Sequence, residues 1–486
     1  MPNPLFPFHE YIPDGEPHVF ADRIYLYGSH DQEDGTRFCM LDYTLYSAPT
    51  HDLSNWKNHG IIYRKDQDPR SKNGKLVDYY APDCVKGNDG RYYLYYFAAG
   101  PNTKPFGPMA VAVSEQPDGP FAYLHDLVNQ DGTPLLRYLT NDPCAINDHG
   151  HIYLYYGWGL GRDFRGRLLS PLFNFVLSKL LQRDRDEIKN TKPSILSCAF
   201  VELEDDMYTV KRGPIPVLDS KTTADKNSEL YHHPFYEAPS IRKINDLYYL
   251  IYSSGENNEL AYATSRYPDR DFRYQGVIIS NSDIGYQGNK KAKAFGDTIH
   301  GSIERIDDRW YVFYHRLTRN SNFSRQACAE PIEIGEDGRI PQVEITSTGI
   351  DGKPFIAEGR YSSFLACNIF HKKRKTKLDE AMFAKEGDQY VIKNIKNGFV
   401  VGYKYFDFKG DETILVSLKG NKGKIRVSDG ENDAYMLIED SSVYRTYEIK
   451  AGFQGVKPLY LEYIGKGNIT LLEIGFKGGR YEENSL

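Results

Sequence analysis

Asp89-Gly90-Arg91-Tyr92-Tyr93-Leu94-Tyr95-Tyr96 reads as a tight turn followed by a strand. Asp and Gly tolerate the positive φ that a hairpin turn demands, and the aromatic run behind them suits a pleated surface. The same phrase occurs as Asp22-Arg23-Ile24-Tyr25-Leu26-Tyr27 and as His149-Gly150-His151-Ile152-Tyr153-Leu154-Tyr155-Tyr156. It returns as Asn245-Asp246-Leu247-Tyr248-Tyr249-Leu250-Ile251-Tyr252 and as Asp307-Asp308-Arg309-Trp310-Tyr311-Val312-Phe313-Tyr314. The copies lie about sixty to seventy residues apart, except for a third interval of about ninety-six that holds an insertion. A four-stranded antiparallel unit repeated at this period is a propeller blade, because radial closure leaves only short, protected edges. The expected fold is therefore all-β, a five-bladed β-propeller over residues 1–348. The alternative is a β-sandwich in which Tyr-rich hairpins simply recur.

Beyond Gly349 to Gly359 the pattern changes. Phe399-Val400-Val401-Gly402-Tyr403-Lys404-Tyr405 and Pro458-Leu459-Tyr460-Leu461-Glu462-Tyr463 alternate between Gly, Asn and Lys turns, which predicts a C-terminal β-sandwich of jelly-roll type over 349–486. Two domains also suit a chain of 486 residues, which exceeds what one core usually supports. The insertion, Gly159 to Lys192, sets Leu168, Leu172, Phe175, Val176 and Leu180 at spacings of three to four, as an amphipathic helix would. It is read as a lid, as a contact for homo-oligomer formation, or as a helix packed on its blade's outer wall.

Composition narrows the partners. The net charge of −6 is spread without a basic face, so nucleic acid is not expected. Its longest apolar stretch, Leu168 to Leu181, is interrupted by Pro171, Asn174, Ser178 and Lys179 and is too short to span a bilayer, so no membrane partner is expected. The six cysteines, Cys39, Cys84, Cys144, Cys198, Cys328 and Cys367, are scattered and read as reduced packing residues. MPNPLFPFHEY lacks a basic region followed by an apolar stretch, which reads as a cytoplasmic protein, or as a secreted or periplasmic one whose signal has been removed.

A propeller by itself specifies no chemistry. Three acids stand beside Pro or Gly, or one residue removed from it, shortly before an aromatic strand: Asp14 in Ile12-Pro13-Asp14-Gly15-Glu16-Pro17, Asp142 in Asn141-Asp142-Pro143, and Glu237 in Tyr236-Glu237-Ala238-Pro239. Singly, each is an ordinary turn former. In phase with the repeat, they come from blades one, three and four, whose innermost strands converge on the axis. Inverting glycoside hydrolysis needs one protonated carboxyl and one carboxylate roughly 6.5–9.5 Å apart, with water between them. A third carboxylate near the acid raises its pKa and keeps it protonated.

In these motifs the chain resembles glycoside hydrolase family 43, inverting five-bladed propellers that act on arabinose- and xylose-containing polymers. The resemblance spans about residues 3 to 345 and is strongest from Asp14-Gly15-Glu16-Pro17-His18-Val19-Phe20 through Tyr25-Leu26-Tyr27-Gly28-Ser29-His30-Asp31. Gly15 stands where the family more often has Pro. Tyr80-Ala81-Pro82-Asp83 is similar to the family's Trp-Ala-Pro-Asp segment, with Tyr80 for Trp. The resemblance implies Asp14 as general base, Glu237 as general acid and Asp142 as the residue that tunes and orients the acid. It further implies substrate contacts from His30, Asp31, Tyr80, Asp83 and Arg316, the last in Tyr314-His315-Arg316. His300, in Ile299-His300-Gly301-Ser302, resembles the axial histidine that in some members helps hold a metal or water, commonly calcium. No cofactor is required for the chemistry, and a calcium near the axis would be structural. The C-terminal part resembles a family-6-type carbohydrate-binding module, through Gly402-Tyr403-Lys404-Tyr405-Phe406 and Leu471-Leu472-Glu473-Ile474-Gly475-Phe476.

The expected activity is exo-hydrolysis that releases a terminal α-L-arabinofuranosyl or β-D-xylosyl unit from arabinan, arabinoxylan or their oligosaccharides. An endo-arabinanase is the second reading. A catalytically silent carbohydrate-binding propeller is a third, and would have Asp14 or Glu237 turned away from the pore. A protein-interaction propeller would need a broad apolar or charged face, which the chain does not display.

Overall fold

The structure is a computed structural model that describes residues 1–478 except 101, 160, 169, 187, 189–193, 257, 319–320 and 374–381. Five antiparallel sheets succeed one another along the first part of the chain. Blade I comprises Glu16–Phe20, Arg23–Tyr27, Tyr43–Pro49 and Lys57–Tyr63, and blade II Asp78–Lys86, Tyr92–Ala99, Ala110–Ser114 and Ala122–Asp126. Blade III comprises Cys144–Asp148, His151–Gly157, Cys198–Leu203 and Val210–Leu218, and blade IV Phe235–Ile244, Leu247–Ser254, Glu259–Ser265 and Arg273–Ser280. Blade V is a three-stranded sheet of Ser302–Ile306, Arg309–Leu317 and Arg325–Ile332. Each recurring aromatic phrase forms the second strand of its sheet.

The first strands contact one another in a closed circle, I to II, II to III, III to IV, IV to V and V back to I. Because a strand turns successive side chains to opposite faces, every blade offers an apolar surface to both neighbours. Five apolar clusters fill the gaps. Tyr25, Tyr27 and Leu45 of blade I meet Leu94 and Tyr96 of blade II, whose opposite face sends Tyr93 and Tyr95 toward Ile152 and Leu154 of blade III. Tyr155 and Phe200 then meet Leu250 and Tyr252, Ile251 and Tyr262 meet Val312 and Tyr314, and Phe313 closes on Ile24 and Leu26.

The preference for Tyr over Phe has a hydrogen-bonding reason. Tyr27 donates its hydroxyl proton to the Pro117 carbonyl at 2.5 Å, Tyr95 to that of Met207 at 2.8 Å, Tyr155 to that of Pro268 at 2.6 Å and Tyr249 to that of Gly338 at 2.8 Å. In every case the acceptor belongs to an outer turn of the next blade. A buried phenol thus packs one face of its own sheet and satisfies a turn carbonyl on its neighbour.

Closure of the ring is non-covalent. The N-terminal segment lies beside the third strand of blade V: Leu5 N–H donates to the Ala327 carbonyl at 2.9 Å, and Asn3 brackets Ala329, donating to its carbonyl at 3.2 Å and accepting its N–H at 3.0 Å. Leu5 and Phe6 sink into the cluster between blades V and I, where Ile350 is also buried.

Among the described residues, two six-stranded sheets form the C-terminal sandwich. One is built on Phe399–Lys409, Gln454–Gly465, Gly423–Ser428 and Asp433–Ile438, the other on Gln389–Lys396, Asn468–Lys477, Thr413–Gly420 and Ser441–Lys450. Phe364, Phe406, Phe408, Leu461, Ile474 and Phe476 pack between them. Lys404 joins the sandwich to the propeller by donating to Asp283 at 2.9 Å and Glu344 at 2.7 Å.

The insertion carries a helix, Pro171–Leu181, N-capped by Ser170. Its apolar stripe faces the other way from the one the spacing suggests. Leu172 and Leu180 are 72% and 65% exposed, and Phe175 and Val176 are also exposed, whereas Leu181 and Leu177 pack on Leu139, Ile188, Ile195 and Leu196. The side chain of Leu168, and Lys192, lie outside the described residues. All six cysteines are buried and unpaired. Among the described residues no helix is long and apolar enough to cross a membrane.

If the tyrosine bonds bind blade to blade, Tyr95→Phe, which strands the buried Met207 carbonyl, should cost about 1–3 kcal/mol. Tyr95→Ala, which adds a cavity, should cost about 3–5 kcal/mol. Both are read as lowered thermal unfolding midpoints, and equal midpoints for Tyr95→Phe and the parent would refute the bonding argument.

Candidate active site

At the axis a cavity of about 330 Å³ is lined by Asp14, Asp142, Glu237, His300, His315 and Arg325, with Phe38, Tyr80, Phe97, Phe106 and Trp158 around them. The acids reach it through local backbone irregularities. Asp14 and Asp142 sit just before the first strands of blades I and III with φ of 58° and 47°, a region that non-glycine residues rarely occupy. Glu237 lies where the pairing of blade IV's first strand is interrupted on both sides, and Ala238 after it has φ of 60°. Such a bulge re-aims a side chain that regular pleating would place elsewhere. The Ala238 N–H freed from the ladder donates to Asp142 Oδ2 at 3.2 Å, so blade III braces the bulge of blade IV. Blade II repeats the device at Tyr80, where Ala81, with φ of 38°, donates its N–H to Ser29 Oγ at 2.8 Å.

Asp14 is clamped. Arg325, from blade V, donates through Nη1 to both of its carboxylate oxygens at 2.7 and 3.0 Å, and through Nε and Nη2 to Asp31 at 2.8 and 3.0 Å. Burial pushes the Asp14 carboxyl up, but the charges of Arg325 and His300 outweigh it and hold the group at about 2. His315 is pushed down to about 3 by burial, its neutral ring accepting the Asp14 N–H at Nδ1, 3.3 Å away. His300 goes the other way, to about 9, because Glu16, Asp14 and Asp142 outweigh its burial.

Glu237 and Asp142 are both raised, and Glu237 further. Burial is the main cause in each, and for Glu237 the negative charge of Asp142 adds to it. The cavity therefore holds an ionised carboxylate, Asp14, fixed by arginine, and a protonated one, Glu237, fixed by burial and a like charge.

The other expected residues divide. Tyr80 lines the cavity, its ring leading into a chain of rings: Phe97 at 5.8 Å from it, Phe106 at 6.3 Å from Phe97, and Trp158 at 5.1 Å from Phe106. Asp31 stands behind Arg325 and away from the cavity wall. His30 also lies off the wall, hydrogen-bonded to the Asp42 carbonyl at 2.8 Å. Asp83 is spent deeper along the axis on His18 at 2.5 Å and on the N–H groups of Cys84 and Ala145, each at 2.7 Å.

Arg316, expected to reach the substrate, does not line the cavity. Its strand alternates, so with His315 turned to the axis Arg316 points out, toward Cys328 Sγ at 3.2 Å and a crevice shared with Ala366 and Cys367. Arg325 supplies the cation at the cavity instead. Arg325, His315, Phe38, Phe97, Phe106 and Trp158 escaped the sequence reading. For His315 a signal existed, since strand alternation allows only one of His315 and Arg316 to face inward.

Below the cavity, Glu16, His18 and Asp83 bring three donor atoms within 4.8 Å of one another. Glu16 Oε1 is buried without a hydrogen-bond partner among the described residues, which suits a cation. His300, expected as a ligand, lies outside this trio and 3.8 Å from Glu16, between it and Asp14.

Residues 13–340 match the family description "Glycosyl hydrolases family 43", and the chain belongs to that family. It is a glycoside hydrolase. A curated relative, "Xylosidase/arabinosidase" of Thermoclostridium stercorarium, is 37% identical over 495 residues, covering 96% of this chain and 97% of that protein. Among solved structures, a family 43 β-xylosidase/α-arabinofuranosidase from a compost microbial metagenome, in complex with xylotriose in calcium-free form, is 26% identical with a TM-score of 0.53, covering 71% of this chain and 97% of that one. An arabinoxylan arabinofuranohydrolase from Bacillus subtilis, 19% identical with a TM-score of 0.50, shares the fold over 98% of this chain and 97% of its own.

A raised carboxyl is stabilising while it keeps its proton and loses that advantage as pH climbs. For Glu237 the folded value lies above the unfolded one, so stability should fall between the ordinary glutamate range and the raised folded value. Glu237→Gln removes this loss. Its unfolding midpoint should exceed the parent's by at least about 2 °C at alkaline pH and by less at pH 5, on the usual scale of about 2–4 °C per kcal/mol. A pH-independent offset would refute the protonated assignment.

Proposed function

We propose that the chain is an exo-acting, inverting hydrolase that removes a terminal pentose, β-D-xylosyl or α-L-arabinofuranosyl, from arabinan- or arabinoxylan-type polysaccharide or its oligosaccharides. The observation that carries this reading is the opposite protonation of two acids on one small cavity, Asp14 held down by Arg325 and Glu237 held up by burial beside Asp142. Supporting the substrate class are the relatives described as xylosidase/arabinosidase and the solved structure with xylotriose.

In the proposed reaction Glu237 gives its proton to the glycosidic oxygen as the bond to the anomeric carbon breaks. Water attacks that carbon from the opposite face, and Asp14 takes the water's proton. Asp142 keeps Glu237 protonated by its charge and holds the Glu237 bulge through the Ala238 N–H. The aromatic rings of Tyr80, Phe97, Phe106 and Trp158 form a wall for the apolar face of a sugar, and the cavity's size favours a chain end over a chain interior. A divalent cation, when bound, would be held by Glu16, His18 and Asp83 and would supply positive charge near the axis.

Glu237→Gln and Asp14→Asn should each lower kcat on a xylo- or arabino-oligosaccharide, whose leaving sugar oxygen needs the acid's proton, by about 10²–10⁴-fold or more with the fold intact by circular dichroism. Activity within a few-fold of the parent would overturn the assignment. Asp142→Asn removes the like charge that holds the Glu237 proton, so the alkaline limb of the pH–rate profile should move to lower pH. An unmoved limb would remove Asp142 from its tuning role.

A further inference from the structure

A second cavity, about 730 Å³, lies where the propeller meets the sandwich, far larger than the axial one and of different chemistry. One wall is the stretch 284–293, between blades IV and V, and the other is the outer face of the first sandwich sheet. Period-2 alternation sorts that sheet: Ile369, Val401, Ile425 and Leu461 point into the sandwich core, while Phe370, Val400, Arg426 and Tyr460 point into the groove. Tyr460 lies against Gly402, where a Cβ would meet its ring carbons at 2.7 Å. Glycine therefore lets the phenol ring rest flat on the neighbouring strand as a floor.

The walls are strongly cationic. Arg426 is neutralised by Asp433 at 2.7 Å and Glu462 at 3.3 Å, and Lys372 by Glu462 at 2.9 Å. Lys290, Lys291 and Lys293 make no ion pair among the described residues. Asp283 and Glu344, the acids whose charge reaches Lys293, are each paired with Lys404, at 2.9 and 2.7 Å. Lys293 is half-buried, its ammonium 5.0 Å over the Phe370 ring; burial and the charge of Lys404 hold its pKa below the usual lysine range.

The lysine segment is also held in place. Asn289 donates from its side chain to the carbonyls of Asp283 at 2.7 Å and Lys291 at 2.8 Å, Lys293 N–H donates to Ser282 at 2.9 Å, and Ile369 N–H donates to Lys293 at 2.9 Å. The last bond ties the segment to the sandwich. The backbone that carries exposed Lys290 and Lys291 is thus held beside an aromatic floor, in a cavity within the range of small-ligand sites.

We infer that this groove binds an acidic saccharide, a sugar ring bearing a carboxylate such as a uronate substituent, with the carboxylate among Lys290, Lys291 and Lys293 and the ring on Tyr460. This rests on the pentose-polysaccharide reading above, since a carboxylate-bearing branch is how such a polymer would present negative charge. A simple inorganic anion would leave the Tyr460 floor unused, and a long polyanion would meet the net charge of −6 beyond the groove.

The test is calorimetric titration of the full chain, made inactive by Glu237→Gln, with a xylotetraose bearing one uronate and with unsubstituted xylotetraose. The acidic sugar should bind at least about tenfold tighter at low salt, a preference that Lys290→Glu/Lys291→Glu erases and Tyr460→Ala reduces. In the otherwise parental enzyme, both changes should leave hydrolysis of a neutral nitrophenyl pentoside within about twofold, as expected for groups outside the axial cavity. Equal affinity for the two sugars, or displacement of the acidic one by inorganic phosphate at equal concentration, would overturn the inference. Acidic preference in a chain whose parent hydrolyses no pentoside would support the groove and sink the proposed function instead.

Discussion

Closure of the ring is the constraint on which everything else rests. Each blade is a sheet with two apolar faces and cannot bury both alone, so the structure is stable only when the fifth blade also covers the first. The segment from Asn3 to Leu5, hydrogen-bonded along the last strand of blade V, joins the two ends of the propeller. Covalent continuity alone would leave that seam free to open.

The same seam sets the electrostatics of the cavity. Asp14 belongs to blade I and Arg325 to blade V, so the ion pair that keeps Asp14 ionised exists only when the two ends meet. Asp142 and Glu237 come from adjacent blades, and the charge of one raises the other. Opposite protonation of acids sharing one small space is therefore a product of the circular order of the blades. Desolvation alone would raise all three carboxyls, and the guanidinium makes the difference at Asp14.

The strain of the inner strands has a corresponding use. Asp14, Ala81, Asp142 and Ala238 all take positive φ, and two of the first strands are bulged at Tyr80 and Glu237. Regular pleating would send alternate side chains into the gaps between blades. Breaking the ladder turns a carboxyl and a phenol toward the axis, and side chains of adjacent blades, Ser29 and Asp142, receive the freed N–H groups.

The sequence by itself determined the repeat, the all-β class and the three acids in phase with it, because turn chemistry and period-2 alternation are local properties of the chain. Tyr80, expected there through the resemblance of its segment to the family, lines the same cavity. Which cation faces Asp14 was decided by the tertiary structure: the motif around His315 pointed to Arg316, strand alternation on the folded sheet turns that side chain toward Cys328, and Arg325 on the neighbouring strand reaches the axis in its place. The outward turn of Leu172, Phe175, Val176 and Leu180 is of the same kind, since spacing marks a stripe on a helix but not the side on which the protein lies. The lysine groove is invisible in the chain because its two walls are brought together only by the docking of sandwich on propeller. Local patterns report what a segment can form, and only packing across distant segments fixes what each side chain faces.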